Sequence, residues 1–186
     1  MSSSEAEKES QLLDLLRQGG YTAHKAVYSA YVRHLTAVCS RYISNDEDVK
    51  DVLQESFIKI FSQIESFGYR GEGSLKGWMT KITVNEALRF LNRMNRIVFV
   101  EITETDFELY DEPPDMDHVP SAVIHRLIRE LPDGYRTIFN LYVIENKSHK
   151  EIASLLGIKE STSASQLHRA KSLLAAKIRQ YKKLLI

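Results

Sequence analysis

Apolar residues recur at helical spacing along almost the whole of this chain, while alternation of the kind that builds strands appears only as a short extended stretch at 97–102. Residues 22–43 carry Val27, Ala30, Tyr31, Leu35, Val38 and Tyr42 on one side, and residues 46–67 carry Val49, Leu53, Phe57, Ile60, Ile64 and Phe67. A short first helix at 11–16 precedes them, closed by the pair Gly19–Gly20. Three glycines and Ser74, a residue able to cap a helix, mark 67–74 as a loop before a further helix over 75–96. Pro132 suits a first helical turn, and Ser148 with Glu151 forms a capping box opening another helix. Gly157 ends that one, and a last helix runs over 160–183. These segments predict an all-α fold.

The pattern is interrupted once. Residues 101–120 hold eight acidic side chains, no Lys or Arg, and Pro113, Pro114 and Pro120, a composition that cannot bury enough apolar surface to fold by itself. The expected organisation is therefore two small helical domains, an N-terminal bundle at 1–96 and a C-terminal helix-turn-helix domain at 121–186, joined by an acidic linker at 97–120. The net charge of zero hides this segregation, since residues 121–186 hold 12 basic and 5 acidic side chains. A basic tail beside an acidic segment is the asymmetry expected of a nucleic-acid-binding part. The lone cysteine, Cys39, excludes an internal disulfide. With no apolar run near the ~20 residues of a membrane span and no apolar signal core at the start, the expectation is a cytoplasmic protein without membrane insertion.

The C-terminal domain carries a helix-turn-helix pattern. Ile152, Leu155 and Leu156 give its first helix an apolar face, Ala153 allows close crossing, Gly157 permits the turn and Ile158 plugs the gap. On a wheel drawn from Glu160, Ser163, Leu167, Ala170 and Leu174 face inward. Ser161, Thr162, Ala164, Ser165, His168, Arg169 and Ser172 face outward, small and polar at the N-terminal end, as entry into a major groove requires. Lys147, Lys150, Lys159, Lys171 and Lys177 stand around that face to neutralise phosphates. Arg169 can pair with a guanine edge or a phosphate.

Two faces of the N-terminal half look functional. Asp51, Gln54, Glu55 and Ser62 share the outer face of the 46–67 helix with Ile58 at its centre, an apolar residue suited to protein docking. On the next helix Asn85, Arg89, Asn92 and Arg96 form one stripe, extended a turn earlier by Trp78 and Lys81. The remaining residues, Met79, Ile82, Val84, Leu88, Phe90, Leu91 and Met94, are expected to be buried. Asn and Arg with an aromatic at one end suit unpaired DNA, and Phe67, Tyr69 and Arg70 of the adjacent loop offer a place for an unstacked base. Trp78 reads equally well as a core residue. His24, His34 and Cys39 lack paired ligand spacing, so no metal or cofactor is expected. The two histidines belong on helix faces and Cys39 in the core.

The segments DVLQESFIKIF, GSLKGWMTKITVNEALRFLNR and ELPDGYRTIFNLYVIENKSHKEIASLLGIKESTSASQLHRAKSLL together resemble a sigma factor of the extracytoplasmic-function group, over about residues 13–178. The resemblance implies a non-enzymatic initiation factor that binds RNA polymerase core, recognises the −10 and −35 promoter elements and promotes melting, often under an anti-sigma factor. It implies that Asp51, Gln54, Glu55 and Ile58 dock on the clamp helices of the largest polymerase subunit. Phe67 to Ser74 and the helix bearing Asn85 and Arg89 would open and read the −10 element, and the helix from Glu160, with Lys171, the −35 element. The linker would thread toward the active-site cleft. Ala164 and Gln166 stand where the family's reader helix often carries basic residues.

Overall fold

The computed structural model describes residues 5–94, 97 and 119–184. It forms two compact units, residues 1–90 and 91–186, and every regular element among the described residues is helical. The stretch expected to be extended at 97–102 and the linker at 97–120 lie, apart from positions 97, 119 and 120, outside the described residues.

The first unit contains α1 (Glu5–Gln18), α2 (Tyr21–Cys39), α3 (Asp46–Gln63) and all but the last turn of α4 (Ser74–Arg93), with a 3₁₀ turn (Ile64–Ser66) continuing α3. Gly19 and Gly20 take φ of 74° and 93°, backbone that L side chains rarely adopt, and so turn the chain between α1 and α2. Because α2 starts without a side-chain cap, its order rests on a buried face of Ala23, Val27, Leu35, Val38 and Cys39. Full burial of such side chains is worth about 1.5–3 kcal/mol each for the larger ones. The start of α3 is fixed locally: the Asn45 side chain accepts from Glu47 N at 2.9 Å and Asp48 N at 3.1 Å. Every residue of the expected α3 stripe, from Val49 to Phe67, is buried. The first helix begins at Glu5 rather than residue 11, since its polar opening turns still place Glu9 inward. Met94 is 48% exposed where burial was expected, because α4 ends at Arg93 and Met94 already lies beyond its last turn.

The second unit contains α5 (Ser121–Arg129), α6 (Asp133–Phe139), a π-helical turn (Asn140–Ile144), α7 (His149–Leu156) and α8 (Glu160–Lys183). Pro132 stands just before α6 as its cap residue, where a missing N–H costs nothing. The expected capping box is formed: Ser148 Oγ accepts from Glu151 N, and Ser148 N donates to Glu151 Oε2 at 2.8 Å. Gly157, at φ 68° and ψ 34°, ends α7 in left-handed backbone, with Ile158 N donating to Ala153 O at 3.0 Å. Helix α8 packs against α5, α6 and α7, and Ser163, Leu167, Ala170 and Leu174 are all buried.

Leu155 and Ser172 depart from their expected places, and Gln166 is buried. Leu155 is 40% exposed, because the buried arc of the short α7 centres on Ile152 and Ala153 and leaves Leu155 at its edge. Gln166 is fully buried, since three neighbouring helices cover a wider arc of α8 than one stripe. Ser172, expected outside, is also buried and donates to His168 O at 3.1 Å.

Candidate nucleic-acid and polymerase interfaces

Helix α3 presents Asp51, Gln54, Glu55 and Ile58 to solvent, with Ile58 53% exposed. Gln54 and Ile58 stand at the edge of a groove of about 620 Å³ between α2 and α3, walled by Tyr28, Val32, Leu53, Phe57 and Phe61. The groove continues the apolar character of Ile58 beyond a single side chain, which distinguishes this face from a scatter of exposed apolars. His24 stacks on Phe61 at 4.2 Å, and Tyr28 lies 4.8 Å from Phe57. His24 thus sits on a helix face, as expected.

The loop before α4 divides its aromatics between core and surface. Phe67 is buried and packs against Trp78, with ring centroids 5.0 Å apart. Its expected part in holding an unstacked base is therefore not met in this conformation: the ring is covered, and its carbonyl accepts from the Arg17 guanidinium at 3.2 Å. Tyr69 and Arg70 are exposed. Trp78 combines both readings of it, half-buried with one side packed on Phe67.

Along α4, Lys81, Arg89 and Asn92 are exposed and Asn85 is half-buried, so the structure brings these four to one solvent-facing side, while Arg96 lies outside the described residues. The opposite side holds Leu75, Met79, Ile82 and Leu91 in the core. Glu86, nearly buried, accepts on one carboxylate oxygen from both Lys59 Nζ at 2.6 Å and Arg89 Nη1 at 2.8 Å. Arg89 is held in place by this carboxylate. A further carboxylate sets the start of α4: Glu9, reaching across from α1, accepts from Gly73 N at 2.7 Å and Lys76 N at 3.0 Å. Ser74 Oγ, expected to cap, instead accepts from Arg70 N at 3.2 Å. Glu9 thus holds the loop bearing Tyr69 and Arg70 against the helix bearing Trp78.

His34 and Cys39 have occupations other than metal binding. His34 Nε2 shares a 2.9 Å hydrogen bond with Thr80 Oγ1, and burial, then Lys76 and Arg41, lower its pKa, favouring the neutral ring. Cys39 is fully buried, and burial pushes its thiol up to about 12.

In the second unit Ser161, Ala164, His168 and Lys171 are exposed, and Thr162, Ser165 and Arg169 half-buried, at the N-terminal half of α8. Ser165 Oγ donates to Thr162 O at 3.0 Å. Of the lysines around this face, Lys177 pairs with Glu130 at 2.8 Å, and the Lys171 ammonium lies 5.8 Å from the centre of the Tyr142 ring. Gln166, one of the two positions where the resemblance expects a basic residue, cannot meet DNA from inside the core, whereas Ala164 can.

Comparison with known proteins agrees with both halves. The sigma-70 region 2 family model matches residues 27–97, and the sigma-70, region 4 model matches residues 121–174. The chain is 31% identical over 179 residues to the ECF RNA polymerase sigma-E factor of Haemophilus influenzae, spanning 90% of this chain and 93% of that one. It belongs to the extracytoplasmic-function sigma factors. As a sigma factor it serves RNA polymerase in promoter recognition and transcription initiation. The RNA polymerase sigma factor SigV of Bacillus subtilis is 31% identical over 133 residues, covering 72% of this chain and 77% of its own. A solved structure of the sigma factor RpoE with the anti-sigma factor NepR from Bartonella quintana aligns with 83% of this chain and 96% of its own, at 20% identity and a TM-score of 0.49. No described helix is long and apolar enough to cross a membrane.

Proposed function

We propose that this sigma factor divides its work among three surfaces. The face of Asp51, Gln54, Glu55 and Ile58 docks on polymerase core. The loop with Tyr69 and Arg70, together with Trp78, Lys81, Asn85, Arg89, Asn92 and Arg96, takes the opened −10 strand. The N-terminal half of α8, through Ser161, Thr162, Ala164, Ser165, His168, Arg169 and Lys171, meets the −35 duplex. Residues 1–96 and 121–186 act as separate domains, and 97–120 link them. The chain works by binding, not catalysis, in the cytoplasm where polymerase acts.

The observation that carries this reading is the partition of α4. One side is core, and the other carries amide, cation and half-exposed indole groups in a row, the combination that stacks bases and neutralises a single-strand backbone. Docking on core asks nothing of that row. Asn85→Ala and Arg89→Ala should therefore keep core affinity and lose open-complex formation, read as permanganate-reactive thymines near the start site. Normal melting by both variants would leave the row a solvated face.

A further inference from the structure

Helix α8 is held from the side by two rings that no promoter-contacting role explains. His149, the first residue of α7, shares a 2.9 Å hydrogen bond through Nδ1 with Ser163 Oγ in the first turn of α8. The same imidazole stacks on Tyr142, at 4.7 Å between centroids and 26° between planes. Tyr142 belongs to the π-helical turn and lies beneath the Lys171 ammonium two turns further along α8. Ser163 and Lys171, eight residues apart, lie about 12 Å from one another along the helix. One stacked pair thus touches α8 at both ends of the stretch that carries Ser165, His168 and Arg169.

The chemistry of this contact is directional. Ser163 is completely buried, on the inner face of α8 beside Leu167 and Ala170. A hydroxyl bonded to a ring nitrogen adds little net stability, but it fixes orientation, whereas apolar packing tolerates rotation and sliding. Turns of π-helix, which cost backbone geometry, recur at functional positions, and here one supplies the ring that backs the imidazole.

We propose that the Tyr142–His149 stack is the positioning element of the reading helix: by holding Ser163 and Lys171 it sets the tilt of α8, and so decides which of its outer side chains reach base edges. Tyr142, His149 and Ser163 are positioning residues in this scheme, while Lys171, exposed above the Tyr142 ring, stays on the outer face. The inference rests on the reading of α8 as the −35 surface.

The test uses the full chain with polymerase core, on a duplex selected by the wild-type holoenzyme from a randomised library and on its single-base variants in the upstream element. His149→Phe keeps the stack and loses the hydrogen bond; Ser163→Ala loses the same bond from the other side. Each should reduce discrimination at one or two upstream positions by about three- to tenfold, the scale of one hydrogen bond. The double variant should lose no more discrimination than either single one, and affinity for a scrambled duplex should be unchanged, while each single variant lowers the melting temperature modestly by stranding one buried partner. A uniform loss on every duplex would mean a merely structural contact and overturn the proposal, as would additive losses of discrimination. His168→Ala and Arg169→Ala separate the two levels. If they alter upstream preference while His149→Phe and Ser163→Ala do not, only the positioning role fails. If no variant of the four alters it, α8 is not the −35 surface and both readings fall.

Discussion

Replacing Arg136 with methionine should destabilise the second unit and leave the first intact. Arg136 is 2% exposed in the middle of α6, one of the largest buried side chains in the protein. Its Nη1 donates to Arg129 O at 2.8 Å and Leu131 O at 2.9 Å, and its Nη2 to the Asp133 carboxylate. The guanidinium therefore satisfies carbonyls at the C-terminal end of α5 while neutralising an acid in the first turn of α6, and it fastens the connection between the two helices. Methionine fills much of the volume but donates nothing, leaving two carbonyls and a carboxylate only 26% exposed without this partner. Breaking a buried pair from one side costs about 3–5 kcal/mol. A folded domain holds about 5–15 kcal/mol in all, so about a fifth or more of the stability would go, a fall in melting temperature on the order of 20 °C for a domain of this size. The only tryptophan, Trp78, lies in the first unit, which makes the two units separable by probe. In urea, far-UV circular dichroism of Arg136→Met should show an early transition that Trp78 fluorescence does not follow, and −35-dependent transcription should be lost at temperatures the wild type survives. Arg136→Lys, which keeps the charge but not the planar fork, should fall between. Coincident, unshifted transitions in Arg136→Met would refute the assignment of stability to this side chain.

The proposed docking face, the start of α4 and the capping box of α7 can each be perturbed in turn. Gln54→Lys with Ile58→Lys should abolish co-purification with core while helicity stays intact, since it places charge at the edge of the α2–α3 groove; unchanged co-purification would remove α3 from the interface. Glu9→Ala should lower the Trp78 unfolding midpoint by about 1–3 kcal/mol, having left two part-buried N–H groups at the start of α4 unmet, and Glu9→Gln should recover part of it. An unshifted midpoint would mean water replaces the carboxylate without loss. Hydrogen bonds from Ser148 backbone and side chain hold Glu151 below its ordinary value of 4.5. A carboxyl whose folded value is depressed stabilises the fold above its unfolded value and loses that contribution as pH falls through the folded one. Amide protection of α7 should accordingly fall with acidification below about pH 4.5 in the wild type and much less in Glu151→Gln; equal pH profiles would exclude the capping box as the cause.

The parts of this fold that could be read from sequence are those whose cause is local. Ser148 and Glu151 close their box within one turn, and Gly157 ends α7 by its own backbone freedom. The α3 stripe was legible because one face of a long helix meets one core. The features that sequence did not show join residues far apart. Glu9 meets Gly73 across 64 positions, and Lys59 meets Glu86 across 27, so no spacing rule announces them. Ser172 was misplaced because α8 has three neighbours, and a wheel assumes one. Phe67 satisfied two patterns at once, the apolar stripe of α3 and the aromatic loop, and the core took it. The outward face of α4 is visible in the spacing of its residues, but not its counter-charge. Glu86 sits three residues before Arg89, a legible spacing, yet only the fold shows that Lys59 shares the same oxygen.

That shared oxygen changes how Arg89 would meet a strand of DNA. An arginine alone in water must give up hydration and rotamer freedom before it can engage a phosphate. Arg89 stays largely solvated, its side chain 67% exposed, but its pairing with Glu86 already restricts its rotamers, so engagement is an exchange of one anion for another. Because Lys59 stays on the carboxylate when Arg89 leaves, Glu86 is not stranded as a nearly buried, unmatched charge, which would otherwise oppose the handover. The same arrangement mutes the positive field of the α4 face while no strand is present, and so weakens its hold on the duplex DNA that fills the cell far in excess of any promoter. If the α4 face takes the opened strand as proposed, Lys59 on α3 would set how readily Arg89 lets go of Glu86 and takes up a backbone.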